Sequence, residues 1–215
     1  MKSVEAKYLY HYTSVENLAL ILESQNVRFN SLDRMDDAQE RENLDGIQIG
    51  QHVFVSCWTD ESKESIPMWN MYSGMENGVR IKLPAQPFDR SHLDAPVGEL
   101  GYVTKYDMLK NGIFCDNNRT DKVDLFKIEY TDDEDYLNPR VMSDDTGGDF
   151  GIHIYLDKIG HYKSTAWEFQ QECRYALIFF PFDWSHVTCE ADIKKQRNDG
   201  YGRLVAGESI MTKKY

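Results

Sequence analysis

The residues best suited to chemistry in this chain lie near its two ends. His11 stands in Tyr10-His11-Tyr12-Thr13-Ser14, at the passage from a strand to a helix. An imidazole and hydroxyls placed there can hydrogen-bond a ribose or a phosphate, and the N-terminus of the following helix favours an anion. Far along the chain, Trp167-Glu168-Phe169-Gln170-Gln171-Glu172-Cys173-Arg174 sets a carboxylate and a guanidinium two residues apart. With a strand beginning near Gln171, Glu172 and Arg174 point to one face. Such a pair is either a structural ion pair or a catalytic carboxylate beside a positioning arginine, and Glu168 is a competing carboxylate. His11, too, reads either as a ligand-binding group or as a satisfied core histidine, with Thr13 merely capping the helix.

Between these ends, Ser56, Trp58 and Thr59 close an apolar strand, and Trp69 and Tyr72 lie three apart on one helical face. Their rings either pack in the core or stack on a planar ligand. Arg80, in a strand, pairs with a carboxylate or binds a ligand phosphate. Other chemistries find little footing. Gly147-Gly148 and Gly200-x-Gly202 lack the rest of any phosphate loop, and no G-x-S-x-G elbow occurs. Cys57, Cys115, Cys173 and Cys189 form no C-x-x-C pair and have no histidine at zinc-ligand spacing, so no metal centre is expected. A Cys–His hydrolase built on Cys57 or Cys173 rests on residue type alone.

The elements that must position these residues are legible in outline. Tyr8–Tyr12 reads as a strand, followed by a helix whose Thr13-Ser14-Val15-Glu16 fits a capping box with Thr13 as cap. Val15, Leu18, Ala19 and Leu22 repeat at helical spacing, which predicts a buried face. Val27–Asn30 and Val53–Trp58 read as strands. Ser31–Asn43 is charged and polar, as a loop or exposed helix would be. Ser65–Tyr72 has Pro67 at a first helical position. Asn77-Gly78 marks a turn before the alternating strand Val79–Leu83, and Tyr102–Tyr106 is a further strand candidate. The stretch 131–149 reads as an acidic loop or insertion, and Ile152–His161 as helix or strand. Glu172–Phe180 is a strong strand ended by Pro181. Short strands with sparse helices make a single α+β domain over residues 1–215.

Composition narrows the class. The net charge of −12 and 36 acidic against 24 basic residues argue against a general nucleic-acid binder. The clearest basic clusters, Lys194-Lys195-Gln196-Arg197 and Lys213-Lys214, are short and read as solvated surface. One nucleotide, or one RNA strand, in a locally positive cleft remains compatible with this field. Met1–Lys7 is polar with no apolar run behind it, and no stretch approaches the ~20 apolar residues of a membrane span. A cytoplasmic protein with free thiols, away from membranes, is expected.

Three blocks, LYHYTSVENLALILES, VFVSCWTDESKESIPMWNMYSGMENGVRIKL and WEFQQECRYAL, resemble a family of bacterial proteins classed as a domain of unknown function. Its members share an initial H-Y-T/S, a C-W/F-S/T strand, an M-W-x-x-Y helix and a late E-x-R; the resemblance spans roughly residues 8–83 and 160–180. The layout is similar to that of the wider ADP-ribosyltransferase superfamily. That similarity implies an α+β fold with a split antiparallel sheet and few peripheral helices around a cleft for NAD, which is a substrate. It implies that His11 binds the nicotinamide ribose, flanked by Tyr12 and Thr13, and that Tyr72, or else Trp58, stacks on nicotinamide. Ser56 and Trp69 join the cofactor set, Glu172 is the late catalytic glutamate, and Arg174 or Arg80 holds the pyrophosphate or fixes Glu172. Three departures stand out: the middle tyrosine falls in a helix, Ser56-Cys57-Trp58-Thr59 replaces an S-T-S triplet, and Gln171 neighbours the Gln170-x-Glu172 pair. The implied activity is transfer of ADP-ribose to a protein or nucleic acid, as a bacterial toxin or phage-defence effector with an antitoxin or regulator as partner. The alternatives are a non-catalytic nucleotide-sensing or protein-interaction module, and an NAD glycohydrolase.

Overall fold

The computed structural model describes residues 2–74, 76–87, 112–115, 124–143, 153–155 and 159–181, with short stretches at 184–186, 188–189, 191–192 and 195–196. The strand candidate Tyr102–Tyr106, the Gly147-Gly148 and Gly200-x-Gly202 pairs and Lys213-Lys214 lie outside them. The fold is α+β, with a mainly antiparallel sheet and few helices. In chain order its strands include β1 (Lys2–Ser3), β2 (Tyr8–Ser14), β3 (Asn30–Ser31), β4 (Val53–Thr59), β5 (Gly78–Pro84), β6 (Ile113–Cys115) and β7 (Asp124–Lys127). There follow β8 (Glu129–Tyr130), β9 (Met142–Ser143), β10 (His153–Ile154), β11 (Tyr162–Lys163) and β12 (Glu172–Pro181). The main sheet runs β1-β7-β12-β4-β2-β5, with β3 also on β4 and β6 on the far end of β12.

β12 is the organising strand. It pairs along Glu172–Ile178 with β4 on one side and along Cys173–Ala176 with β7 on the other. Both faces of β12 are covered as well: Cys173, Tyr175 and Leu177 enter one core, and Arg174 lies against the buried Glu40 on the other face, so Cys173-Arg174-Tyr175 is almost wholly sequestered. One face carries a core of Leu9, Trp58, Cys173, Tyr175 and Leu177. A second core gathers Leu32, Ile47, Ile49, Val53, Val55, Val141 and Ile159.

The sheet is weakly joined at one seam. β2 pairs with β5 along its whole length, Tyr8 to Ser14, but meets β4 at the single pair Tyr10–Thr59. Past that pair the strands diverge, and the Cys57 carbonyl accepts a hydrogen bond from the His11 ring, at 2.8 Å.

Among the described residues three α-helices decorate the sheet: α1 (Val15–Ser24), α2 (Ile66–Tyr72) and α3 (Glu134–Leu137). The cap of α1 is Ser14, which accepts from the Asn17 amide, one residue later than the sequence pattern suggests; Thr13 is still in β2 and takes a bond from the Asn17 side chain. No residue of α1 is buried, and Leu20 and Leu22 are exposed, so the predicted buried face is not formed. The expected strand at Val27–Asn30 shrinks to Asn30–Ser31; Val27 and Phe29 pack against the core instead. Pro67 does sit in the first turn of α2. Gly78 is dictated by close approach, since a Cβ there would meet Ser73 Cβ at 2.5 Å, so β5 can begin directly beneath the end of α2.

The polar segment Ser31–Asn43 is not simply exposed. It folds into short 3-10 turns at Leu32–Arg34 and Ala38–Arg41, and both Leu32 and Glu40 are buried. In the acidic stretch 131–149 the described residues end at Ser143; α3 buries Leu137, and Val141 is fully enclosed.

Candidate active-site cleft

The parting of β2 from β4 opens a cleft of about 490 Å³, open solvent at its mouth included. Alternation along the strands decides what reaches it. Tyr10, Thr59 and Glu172 share one row of the ladder and hence one face. His11 and Trp58 belong to the opposite face, and they meet the cleft because the ladder is interrupted there. α2 brings Met68 and Tyr72 across the top, the segment before the second 3-10 turn brings Met35 and Asp36, and Gln170 and Lys163 close the far side.

The floor is a closed ring of charges. Glu172 receives the Arg174 Nε at 2.5 Å on one oxygen and the Lys163 ammonium at 2.7 Å on the other. Glu40 bridges the same two cations, accepting from Arg174 Nη1 and lying 3.1 Å from Lys163 Nζ. None of the four side chains is more than 5% exposed. Two carboxylates and two cations cancel, which is what permits burial of all four. Gly160 completes the ring: its carbonyl accepts from Arg174 at 3.0 Å, and its φ of +74° with Leu32 pressed against it leaves no room for a side chain.

From the ring a hydrogen-bond chain climbs to the mouth. Lys163 donates to Gln170 Oε1 at 2.8 Å, the Gln170 amide donates to the Tyr72 hydroxyl at 2.6 Å, and Tyr72 is bonded to Asp36. The turn Thr165–Gln170 ends at Gln171 in a left-handed conformation, φ 43°, and the Gln171 carbonyl is fixed by the Thr59 hydroxyl at 2.9 Å. This kink lets Gln170 and Glu172 both face the cleft while Glu168 stays exposed outside it.

Protonation follows from these contacts. Burial alone would raise the Glu172 carboxyl, but Arg174 and Lys163 outweigh it and hold it at about 2. Burial works against the Lys163 charge, yet Glu172 and Glu40 push its pKa up. Burial lowers His11, with the Cys57 carbonyl opposing. A carbonyl can only accept, so Nδ1 carries the proton and Nε2 of the neutral ring is an acceptor. Burial, then the charge of Asp36, raises Tyr72, which stays a phenol. Burial and the neighbouring Glu172 raise the Cys57 thiol, so it is no nucleophile at neutral pH.

Of the residues singled out from the sequence, the cleft gathers His11, Tyr12, Trp58, Tyr72 and Glu172. The others are engaged elsewhere. Thr13 bonds Asn17, and Ser56 accepts the Trp58 indole at 3.0 Å in the core. Trp69 packs edge-on to Tyr12 and bonds Glu64. Arg80 lies over Tyr10 and binds the carbonyls of Glu61 and Ser62. Arg174 is fully enclosed beneath Glu172. Sequence reasoning did not find Asp36, Lys163 or Glu40. No motif marks them: Glu40 meets its partners Lys163 and Arg174 only through the fold, Asp36 meets Tyr72 across the cleft, and Lys163 reaches Gln170 and Glu172 only once the intervening turn has formed. The thiol of Cys57 faces the cleft as a by-product of strand alternation. Among the described residues, no helix is long and apolar enough to cross a membrane.

A family model described as Protein of unknown function (DUF2971) matches residues 68–175, just over half of the 215. No curated protein matches, and no solved structure matches.

Proposed function

Because the chain belongs to the family described as Protein of unknown function (DUF2971), a title that carries no activity, we propose a function from the cleft itself: NAD-dependent transfer of ADP-ribose to a protein or nucleic acid. One observation carries the reading. His11, Tyr72 and Glu172, drawn from three separate blocks of sequence, line one aromatic-walled opening at the seam of the sheet.

NAD would lay its nicotinamide against the Tyr12 and Tyr72 side of the cleft, with a ribose hydroxyl donating to His11 Nε2. The bond from ribose C1′ to the nicotinamide nitrogen breaks, and nicotinamide leaves with the bonding pair. Glu172, anionic at any physiological pH, faces the oxocarbenium-like carbon and stabilises its positive charge. An acceptor hydroxyl or amine then bonds to C1′ and releases its proton to solvent, because a carboxyl held near pKa 2 is a weak base. A toxin or phage-defence role would be one use of such an activity.

A specific observation favours a second reading. Both Glu172 oxygens are already satisfied by Lys163 and Arg174, as suits a cleft that binds a nucleotide without turning it over. The two readings separate on incubating the protein with labelled NAD and cell lysate beside Glu172→Gln. Transfer predicts nicotinamide release and labelled macromolecule, with release at least ~100-fold lower in the variant. Free ADP-ribose alone would make the protein a glycohydrolase. A folded protein that binds NAD without releasing nicotinamide is the sensing module, and one that does not bind NAD at all overturns the proposal.

A further inference from the structure

Among the described residues of this acidic chain, β2 and β5 build an organised basic feature that no run of adjacent residues reveals. β2 sets Tyr8, Tyr10 and Tyr12 on a single face, and β5 places Arg80 opposite Tyr12 and Lys82 opposite Tyr10. The cations and rings alternate in contact: Arg80 lies 3.8 Å from the Tyr10 centroid and 5.3 Å from Tyr12. Lys82 lies 4.3 Å from the Tyr8 centroid and 5.8 Å from Tyr10, and Lys7 lies 5.5 Å from Tyr8. Arg80 is tied to main-chain carbonyls and acts as a buttress. Lys7 and Lys82 are different: both are exposed, and neither has a carboxylate partner among the described residues. With 36 acidic residues in the chain, two such lysines left unpaired beside an aromatic row invite an anion from outside.

The row also has a direction. Tyr8 is 37% exposed and Tyr12 3%, so the rings descend from the surface to the cleft that Tyr10 and Tyr12 line. We propose that this face of β2 and β5 is a track for single-stranded nucleic acid, whose phosphates meet Lys7 and Lys82 and whose bases meet the tyrosine rings on the way to the cleft. Alternate strand residues are spaced by about 6.7 Å, twice the stacked base spacing of one duplex strand. The track therefore suits a strand drawn out so that bases contact tyrosines and not each other. A duplex hides its base faces and cannot use the rings. An acidic peptide would satisfy the lysines but brings no base to the exposed Tyr8 ring. The role of that strand as acceptor rests on the transferase reading; the track itself does not.

The test is fluorescence anisotropy with short labelled oligouridine and oligothymidine at low salt, while nicotinamide release from NAD is followed in parallel samples lacking oligonucleotide. Wild type is expected to bind, with affinity falling as salt rises. Lys7→Ala with Lys82→Ala should weaken binding roughly tenfold or more and flatten the log–log salt slope by about 1.4, at about 0.7 per phosphate contact. Tyr8→Ala should weaken it several-fold with the slope unchanged. All three side chains lie outside the cleft, so nicotinamide release should be unaffected. Absence of binding by wild type, binding indifferent to these substitutions, or displacement by polyglutamate as readily as by unlabelled oligonucleotide overturns the track. Since release is read separately, loss of the track with release intact spares the NAD reading, and the reverse result spares the track.

Discussion

Glu172 shows how much a carboxylate's meaning depends on what lies behind it. Two residues from Arg174 in sequence, it suggested a pair; in three dimensions the pair is half of a ring closed by Glu40 and Lys163. Removing one cation leaves two buried carboxylates facing the other. Arg174→Met should therefore cost about 3–5 kcal/mol, read as a lowered urea midpoint at unchanged slope. The pH dependence has two acid limbs. Glu172 ionises lower in the folded protein than its ordinary 4.5, so its contribution is present above about 4.5 and is lost as pH falls toward 2. His11 and His52 are lowered from 6.5 by burial, so the unfolded chain takes up protons that the fold resists and stability starts to fall below about 6.5. Lys163, raised above 10.5, contributes fully below 10.5 and loses its share only as pH climbs past its folded value. Urea titrations across pH should show the histidine limb, below about 6.5, reduced in His11→Gln and the Glu172 limb unchanged.

At the scale of elements, the seam between β2 and β4 is the weak join. One residue pair, the His11–Cys57 bond and the His11–Trp58 ring contact span it, whereas β12 is laddered on both sides. Hydrogen exchange should find the amides of 173–177 slowest and those of β2 and β5 faster; His11→Ala should speed exchange in β2 and β5 and leave β12 as it was. Equal acceleration in both would mean that the sheet opens as one unit. The strands that proved legible in the sequence, β2, β4, β5 and β12, are those with apolar or aromatic alternation or a turn before them. Burial was harder to read. Leu18 and Leu22 have helical periodicity, yet α1 lies outside the sheet and buries none of its residues. Glu40 sits in a segment whose polarity reads as solvent-facing, and only the distant Arg174 and Lys163 draw it inside. His11 and Glu172 are legible because each stands beside unusual neighbours, His11 within β2 and Glu172 at the start of β12. Asp36 and Lys163 were missed because neither has any.

For the whole molecule, opposite responses to salt are expected. A net charge of −12 repels itself, so adding salt should raise the melting temperature modestly by screening. The same salt should weaken any strand held at Lys7 and Lys82. A thermal scan and a binding titration over one salt series would separate the two, and a protein destabilised by salt would show that its buried and surface ion pairs outweigh the self-repulsion. The charge ring has a consequence for descent as well. The stretch shared with the family takes in Lys163, Glu172 and Arg174 and leaves Glu40 outside. A chain that keeps Lys163, Glu172 and Arg174 but loses the acid at position 40 holds two buried cations for one anion. Change at position 40 is then coupled to change at 163 and 174: an exchange that removes the acid should be tolerated only when a base goes with it.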